Sequence, residues 1–198
     1  MKFILGLSGT HGTGKSTILN GVSAAGYEVD FSQLSRSAQA ALRWDRLSRA
    51  EESEENMWAL QEAILGAMWD RDQAIIKSGR VTLVERSPAD AWAYTLLWLH
   101  RLNLGVDSRQ AISYRNRCRD MATNYAKFIL VRPESAIPFV AESARADEQS
   151  RNFVDSALSL FIQGGELPHH IIESVGADAR IAEVGMLFSL SKMRFSYA

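Results

Sequence analysis

Gly9, Gly14, Lys15 and Ser16 stand at the spacing G-x-x-x-x-G-K-[ST] across Gly9-Thr10-His11-Gly12-Thr13-Gly14-Lys15-Ser16. That pattern builds an anion cradle. Its glycines let the backbone turn tightly and aim successive N–H groups at one anion, and a helix beginning near Lys15 adds the positive end of its dipole. Thr10, His11, Gly12 and Thr13 would then wrap a polyphosphate, with Thr17 following in the first helical turn as a further contact. Lys15 would reach the β- and γ-phosphates of a nucleotide, and the Ser16 hydroxyl would ligate Mg²⁺.

A second acidic-basic pair stands at Glu85-Arg86, where the apolar run Val81-Thr82-Leu83-Val84 ends. A carboxylate at the end of a strand next to a phosphate loop can hold Mg²⁺ directly or through water, so Glu85 is the metal candidate beside Ser16. Arg86 is fixed next to it and could bind an acceptor or the transferring phosphoryl group.

These residues need a scaffold, and five apolar segments fit parallel strands: Lys2 to Leu7, Tyr27 to Phe31, Val81 to Glu85, Lys127 to Arg132 and His170 to Glu173. Helical stretches lie between them, as right-handed β-α-β crossovers require. They are Ser16 to Ala25, Ser53 to Lys77, a helix opening at Pro88, Ser108 to Tyr125, Asp147 to Gln163 and Ala177 to Leu190. Two regions break the alternation, Ser32 to Glu55 and Glu134 to Arg151. Both leave carboxyl ends of strands, where doubly wound sheets bind ligands, so both are expected to close over a substrate.

With these motifs the chain resembles the P-loop nucleoside and nucleotide kinases, including the deoxynucleoside kinases and small viral or bacterial relatives. Besides the phosphate loop, Glu85-Arg86-Ser87 is similar to the acidic-Arg-Ser signature of deoxynucleoside kinases, and Ser143 to Arg151 is similar to the family's lid. The resemblance implies a three-layer α/β/α sandwich with a five-stranded parallel sheet and a helical lid at about 134–151. It also implies ATP with Mg²⁺ as donor and a small acceptor beneath the lid. Gly176 falls where the family's adenine-contacting loop is found. Lid chemistry is sound on its own terms, since arginines arriving on closure stabilise charge spread over the phosphoryl oxygens while excluding water. Arg145 and Arg151, six apart, would flank the lid turn, and Asp147 would cap the next helix.

One departure bears on the acceptor. Deoxynucleoside kinases usually carry a Glu after the second strand that takes the acceptor proton, whereas here Asp30 stands near the strand end and Gln33 follows. Asp30 could be the base. A phosphate acceptor needs no base and is better served by Arg36 and Arg43. For stacking a nucleobase, Trp44 and either Trp58 or Trp92 are the better candidates, while Trp69 and Trp98 fit helix-core faces. The arginines at 109, 115, 117 and 119 read as a solvated face or, alternatively, as a track for a polynucleotide.

Composition narrows the classes. The 198 residues fit one domain, and 22 basic against 23 acidic residues leave a net charge of −1, too little to hold long nucleic acid non-specifically. The lone Cys118 excludes a disulfide framework, and His169-His170 lack a third ligand at metal spacing. The apolar N-terminal run leads into the phosphate loop and reads as a strand rather than a signal peptide, so a cytoplasmic protein without a membrane span is expected. A homodimer stays open. The expectation is an ATP-dependent kinase acting on a (deoxy)nucleoside monophosphate, with catalytic contributions from Lys15, Asp30, Glu85, Arg86, Arg145 and Arg151. A nucleoside kinase, a kinase directed at a DNA end or a hydroxymethylated DNA base, and a non-catalytic ATP-binding module are the alternatives.

Overall fold

The computed structural model describes residues 2–133 and 147–196. Arg145, with most of the expected lid, lies outside the described residues.

β1 (Ile4–Ser8) is buried along its whole length and lies between β3 (Thr82–Glu85) and β4 (Tyr125–Leu130). β2 (Val29–Asp30) and β5 (His169–Ile171) form the edges, all neighbours are parallel, and the strand order is β2-β3-β1-β4-β5. Continuous apolar runs are what a sheet covered on both faces requires. Side chains of β1 alternate between two cores. Leu5 and Leu7 pack with Ile18, Val22, Val184 and Phe188 of α1 (Lys15–Ala24) and α7 (Ala177–Ser196). Ile4 faces the other way, toward α3 (Glu54–Ser78), α4 (Pro88–Arg101), α5 (Arg109–Ala122) and α6 (Glu148–Gly164). The three layers and five parallel strands match the sequence expectation.

Register then sets the site. Leu7 pairs with Glu85 and Ser8 with Leu130, so the exits of β1, β3 and β4 lie level along one edge of the sheet. Local chemistry fixes the helix starts: Ser53, Ser108 and Asp147 each accept a hydrogen bond from a first-turn amide of α3, α5 and α6.

Three expectations are corrected. Ser32 to Glu55 is not irregular, because it contains α2 (Leu34–Ala41) and a short 3-10 helix, Leu47–Glu51. Ala38 and Ala50 pack on Leu60 of α3, and such small contacts leave little apolar periodicity to read. The helix expected to run to Tyr125 stops at Ala122, and Tyr125 opens β4. Its ring is fully buried and stacks on Phe128 at 5.1 Å, a tertiary contact that outweighs local preference. β2 keeps only two of the five expected residues. Tyr27 packs on Phe188 and bonds Ser189, while Phe31 is exposed.

Candidate active site

The loop leaving β1 passes so close to β4 that a Cβ on Gly9 would lie 2.5 Å from the Val131 carbonyl oxygen. Only glycine fits there. Gly14 caps α1 with φ +83°, a conformation open to glycine at no steric cost. Within the loop the Thr10 carbonyl accepts from the Thr13 hydroxyl (3.0 Å) and from the Lys15 ammonium (2.7 Å). Arg180 of α7 donates through Nη1 to the Thr13 carbonyl and through Nε to Ser174, both at 3.0 Å. The phosphate loop is thereby tied to the turn that contains Gly176. Ser16 and Thr17 are exposed at the start of α1, where a ligand could reach them.

Opposite the loop, β3 ends at half-buried Glu85, and Arg86 turns the chain into α4 with φ +67°. For a non-glycine residue this left-handed turn costs roughly 1–3 kcal/mol and marks a place where surrounding contacts impose the geometry. Ser87 and Asp90 form a capping box, with Pro88 as the first residue of α4. The Asp90 carboxylate accepts from the Ser87 amide (2.9 Å), the Ser87 hydroxyl (3.0 Å) and the Gly9 amide (3.3 Å). One buried acid thus joins the two motifs.

A cavity of about 260 Å³ opens between the phosphate loop, α2, α3 and α4. Leu60, Ile64, Met68 and Leu97 supply apolar walls, and Trp98 an aromatic one. His11 of the phosphate loop, Gln61, Arg86, Tyr94 and Arg101 supply the polar groups. The Arg86 guanidinium lies 4.6 Å over the Tyr94 ring, and His11 meets the same ring edge-on at 5.1 Å. Gln61 is 2% exposed, and its carbonyl oxygen accepts from the Thr95 hydroxyl at 3.1 Å. Its amide N–H groups remain to donate.

The charges at this junction repel one another. Burial, and then the neighbouring Arg86, push the Lys15 ammonium down to about 8, against the pull of Asp90 and Glu85. Burial, then Arg86, Lys15 and Arg101, push His11 down to about 4, so its imidazole is neutral at physiological pH. A polyphosphate bound at this loop would supply the negative charge that Lys15 lacks and raise its pKa again. Binding must then take up a proton above pH 8, and ADP affinity is expected to fall by up to about tenfold per pH unit between roughly 8 and 10. Titration calorimetry in buffers of different ionisation heat measures this uptake. A pH-independent affinity over that range would show that Lys15 does not meet the phosphates.

Of the residues singled out in the sequence, Lys15, His11 and Arg86 come together here, with Glu85 within electrostatic reach of Lys15 and Arg86. Others lie elsewhere. Arg36 and Arg43 are exposed and do not line the cavity, since α2 turns Leu34 and Ser35 toward it instead. Trp58 and Trp92 are core residues at 4% and 6% exposure, and Trp44 packs among Leu42 and Leu47 beneath Arg49. Trp98, expected in a core face, lines the cavity. Asp30 is half-buried at the end of β2, accepts from the Ser32 amide at 2.8 Å and is absent from the cavity wall. Arg151 is buried in the first turn of α6. The sequence reading missed Gln61, Tyr94 and Arg101. Only Gln61 carried a signal, a polar residue set in the apolar stripe four after Met57 and three before Ile64.

Ser16 and Glu85 suit a nucleotide-bound Mg²⁺, which takes one or two protein oxygens and completes its shell with phosphates and water. Asp90 does not suit it, because both of its oxygens are engaged. Among the described residues no group of three His, Cys, Asp or Glu gathers as a metal site, and no helix is long and apolar enough to cross a membrane.

Parallel sheet, phosphate loop and strand-to-helix elbow together define a P-loop protein with the fold of the nucleoside and nucleotide kinases. The chain belongs to the AAA domain family, whose model matches residues 5–180. Among solved structures, deoxyadenosine kinase from M. mycoides with bound dCTP has a TM-score of 0.66 to this chain at 14% identity, over 96% of this chain and 98% of that one. The same enzyme with products dCMP and a flexible dCDP bound has a TM-score of 0.64 at 14% identity, with the same two coverages of 96% and 98%. With bound dATP the TM-score is 0.64 at 14% identity, covering 97% of this chain and 99% of that one. Comparison with curated protein sequences finds no match.

Proposed function

We propose that the protein catalyses ATP-dependent phosphoryl transfer to a small nucleotide, a (deoxy)nucleoside monophosphate, seated in the cavity beside the phosphate loop. One observation carries the reading: His11 belongs both to the phosphate loop and to the cavity wall. A donor on the loop and an acceptor in the cavity would therefore meet at Lys15 and Arg86. Lys15 and the loop amides bind the donor phosphates, and the Gly176 turn borders the adenosine end. Apolar walls with Trp98 hold the base, and the Gln61 amide donates to its edge. Arg86 holds the acceptor phosphate, with Arg101, which also bonds Asp147 and Ser150, beside it. Mg²⁺ on Ser16 and Glu85 would neutralise the developing phosphate charge. Arg145 and Arg151 bracket the segment proposed to close over the reacting groups.

Two observations favour a monophosphate over a hydroxyl acceptor. Among the described residues the cavity wall carries Arg86 and Arg101, the latter also bonded to Asp147 and Ser150, and its one acid, Asp90, has both oxygens occupied. Asp30, the expected base, is off the wall. Nucleoside phosphorylation, the activity in the name of the M. mycoides enzyme, is the second reading and would need Asp30 or Glu85 to move onto the acceptor hydroxyl. A DNA acceptor gains no support from α5, where Arg117 is paired with Glu62 and no arginine reaches the cavity.

An ATP-consumption screen against nucleosides, nucleoside monophosphates and single- and double-stranded DNA tests the proposal. Monophosphates are expected to be turned over, Asp30→Asn to change turnover by less than about threefold, and Arg86→Ala to raise the acceptor KM at least about tenfold. Glu85→Gln is expected to shift the Mg²⁺ titration and lower turnover more than it weakens ATP binding. Phosphorylation of nucleosides alone, abolished by Asp30→Asn, would hand the site to the second reading.

A further inference from the structure

Beneath the elbow that carries Glu85 and Arg86 lies a buried polar cluster that takes no part in the chemistry proposed above. Arg71 of α3 has a side chain only 4% exposed, and beside it Asp72 is fully buried. The Arg71 guanidinium donates to the Asp72 carboxylate through Nε (3.0 Å) and Nη2 (2.8 Å), and Nη2 also lies 2.8 Å from the Tyr125 hydroxyl. The Tyr125 hydroxyl in turn donates to the second Asp72 oxygen at 2.9 Å. Adjacent residues on a helix do not ordinarily face each other, so this pairing is imposed by the buried surroundings that Arg71 and Asp72 share with Tyr125.

The rest of the fork shows the purpose. Nη1 donates to the Glu85 carbonyl at 2.9 Å, and the Arg86 carbonyl, 3.3 Å from Nη2, shares that nitrogen's two hydrogens with Asp72 and Tyr125. These are the two carbonyls at which β3 breaks off and the chain enters the left-handed turn. On the other side the turn is held by the Arg86 amide on Leu7 (3.2 Å) and by the Ser87-Asp90 capping box. Room for the arrangement comes from Gly6: a Cβ there would lie 3.0 Å from the Tyr125 ring and 3.1 Å from the Ser87 side chain.

We propose that Arg71, braced by Asp72 and the Tyr125 hydroxyl, is a positioning residue that holds the Glu85-Arg86 elbow in its left-handed turn and so aims Arg86 into the cavity. The inference rests on the reading that Arg86 binds the acceptor. A fork that bonds two consecutive carbonyls and a carboxylate at once is within the reach of guanidinium, and an ammonium with its compact point charge cannot reproduce it.

Two measurements on the full chain test this. Hydrogen exchange of the unliganded protein needs no acceptor. Arg71→Lys is expected to speed exchange of the Arg86 and Ser87 amides at least about tenfold while those of Leu5 and Leu83 in the central strands stay unchanged. Tyr125→Phe, which removes one hydroxyl and keeps the ring, is expected to give the same local pattern more weakly, and serves should the lysine variant fail to fold. The second measurement is a double-mutant cycle with the acceptor of highest turnover in the screen. Arg71→Lys should raise its KM about tenfold in the parent and less than about twofold when Arg86 is already Ala. Uniform acceleration across β1 and β3, or unchanged exchange at 86 and 87, would overturn the inference. So would full additivity in a cycle where Arg86→Ala alone raises the KM. An Arg86→Ala variant with an unaltered acceptor KM would instead overturn the acceptor reading, and the exchange data would still decide the role of Arg71.

Discussion

Replacing Lys15 with Ala is expected to lower turnover at least about a hundredfold and to leave the fold in place, an effect of the size that follows loss of one preorganised charge at a developing anion. The side chain is buried at 6% exposure, yet its ammonium bonds a loop carbonyl and is repelled by Arg86. Removing it relieves that repulsion. Thermal stability should therefore hold or rise below pH 8, where the parent keeps Lys15 charged against its surroundings. Steady-state kinetics and a melting curve on the same preparation check both halves. Full turnover would refute the kinase reading, and loss of the folded state would mean that Lys15 is a structural residue.

The second large effect is expected at Asp90. This carboxylate satisfies the Gly9 amide, the Ser87 amide and the Ser87 hydroxyl, and it faces Arg86 at 3.9 Å. Asp90→Ala strands those donors and removes the countercharge of a half-buried guanidinium, for about 3–5 kcal/mol in total. In a chain of 198 residues that corresponds to a melting temperature lower by about 6–20 °C. Asp90→Asn keeps one acceptor oxygen and should lose about half as much. Both variants should also raise the KM for ATP, because the Gly9 amide belongs to the phosphate cradle. A melting temperature within 2–4 °C of the parent would show that the three bonds together contribute about 1 kcal/mol or less.

How much of this was legible in the sequence follows from the range of the forces involved. The phosphate loop was readable because glycine spacing and backbone turn are one local fact, seen in the left-handed conformations of Gly12 and Gly14. The three central strands were readable because buried parallel strands are written as apolar runs, whereas the half-buried edge strand β2 kept only two of its expected residues. The wall of the cavity was not readable. Gln61, Tyr94 and Arg101 come from two helices and meet only after packing, and the tryptophans exchanged roles because burial against neighbours, which a single helix does not encode, decides whether an indole lines a cavity or fills a core. Arg36 and Arg43 looked apt for a phosphate by charge alone. The phase of α2 points Arg36 into solvent, and Arg43 lies beyond its end in a left-handed turn, neither of which could be set while the helix itself was unread.

The bond from Arg180 to the Thr13 carbonyl spans 167 residues of sequence, and this has a consequence for how the protein is made. Contacts between distant parts of a chain form late, since the entropy of closing the intervening loop must be met first. The phosphate cradle is specified within the first sixteen residues, yet one of its carbonyls is anchored only when α7 has been synthesised and has docked against α1. A nascent chain lacking α7 would carry the whole motif and hold nucleotide poorly, so the nucleotide stabilises the finished domain and offers little to its precursors. Competence to bind thereby becomes a signal that α7 has docked.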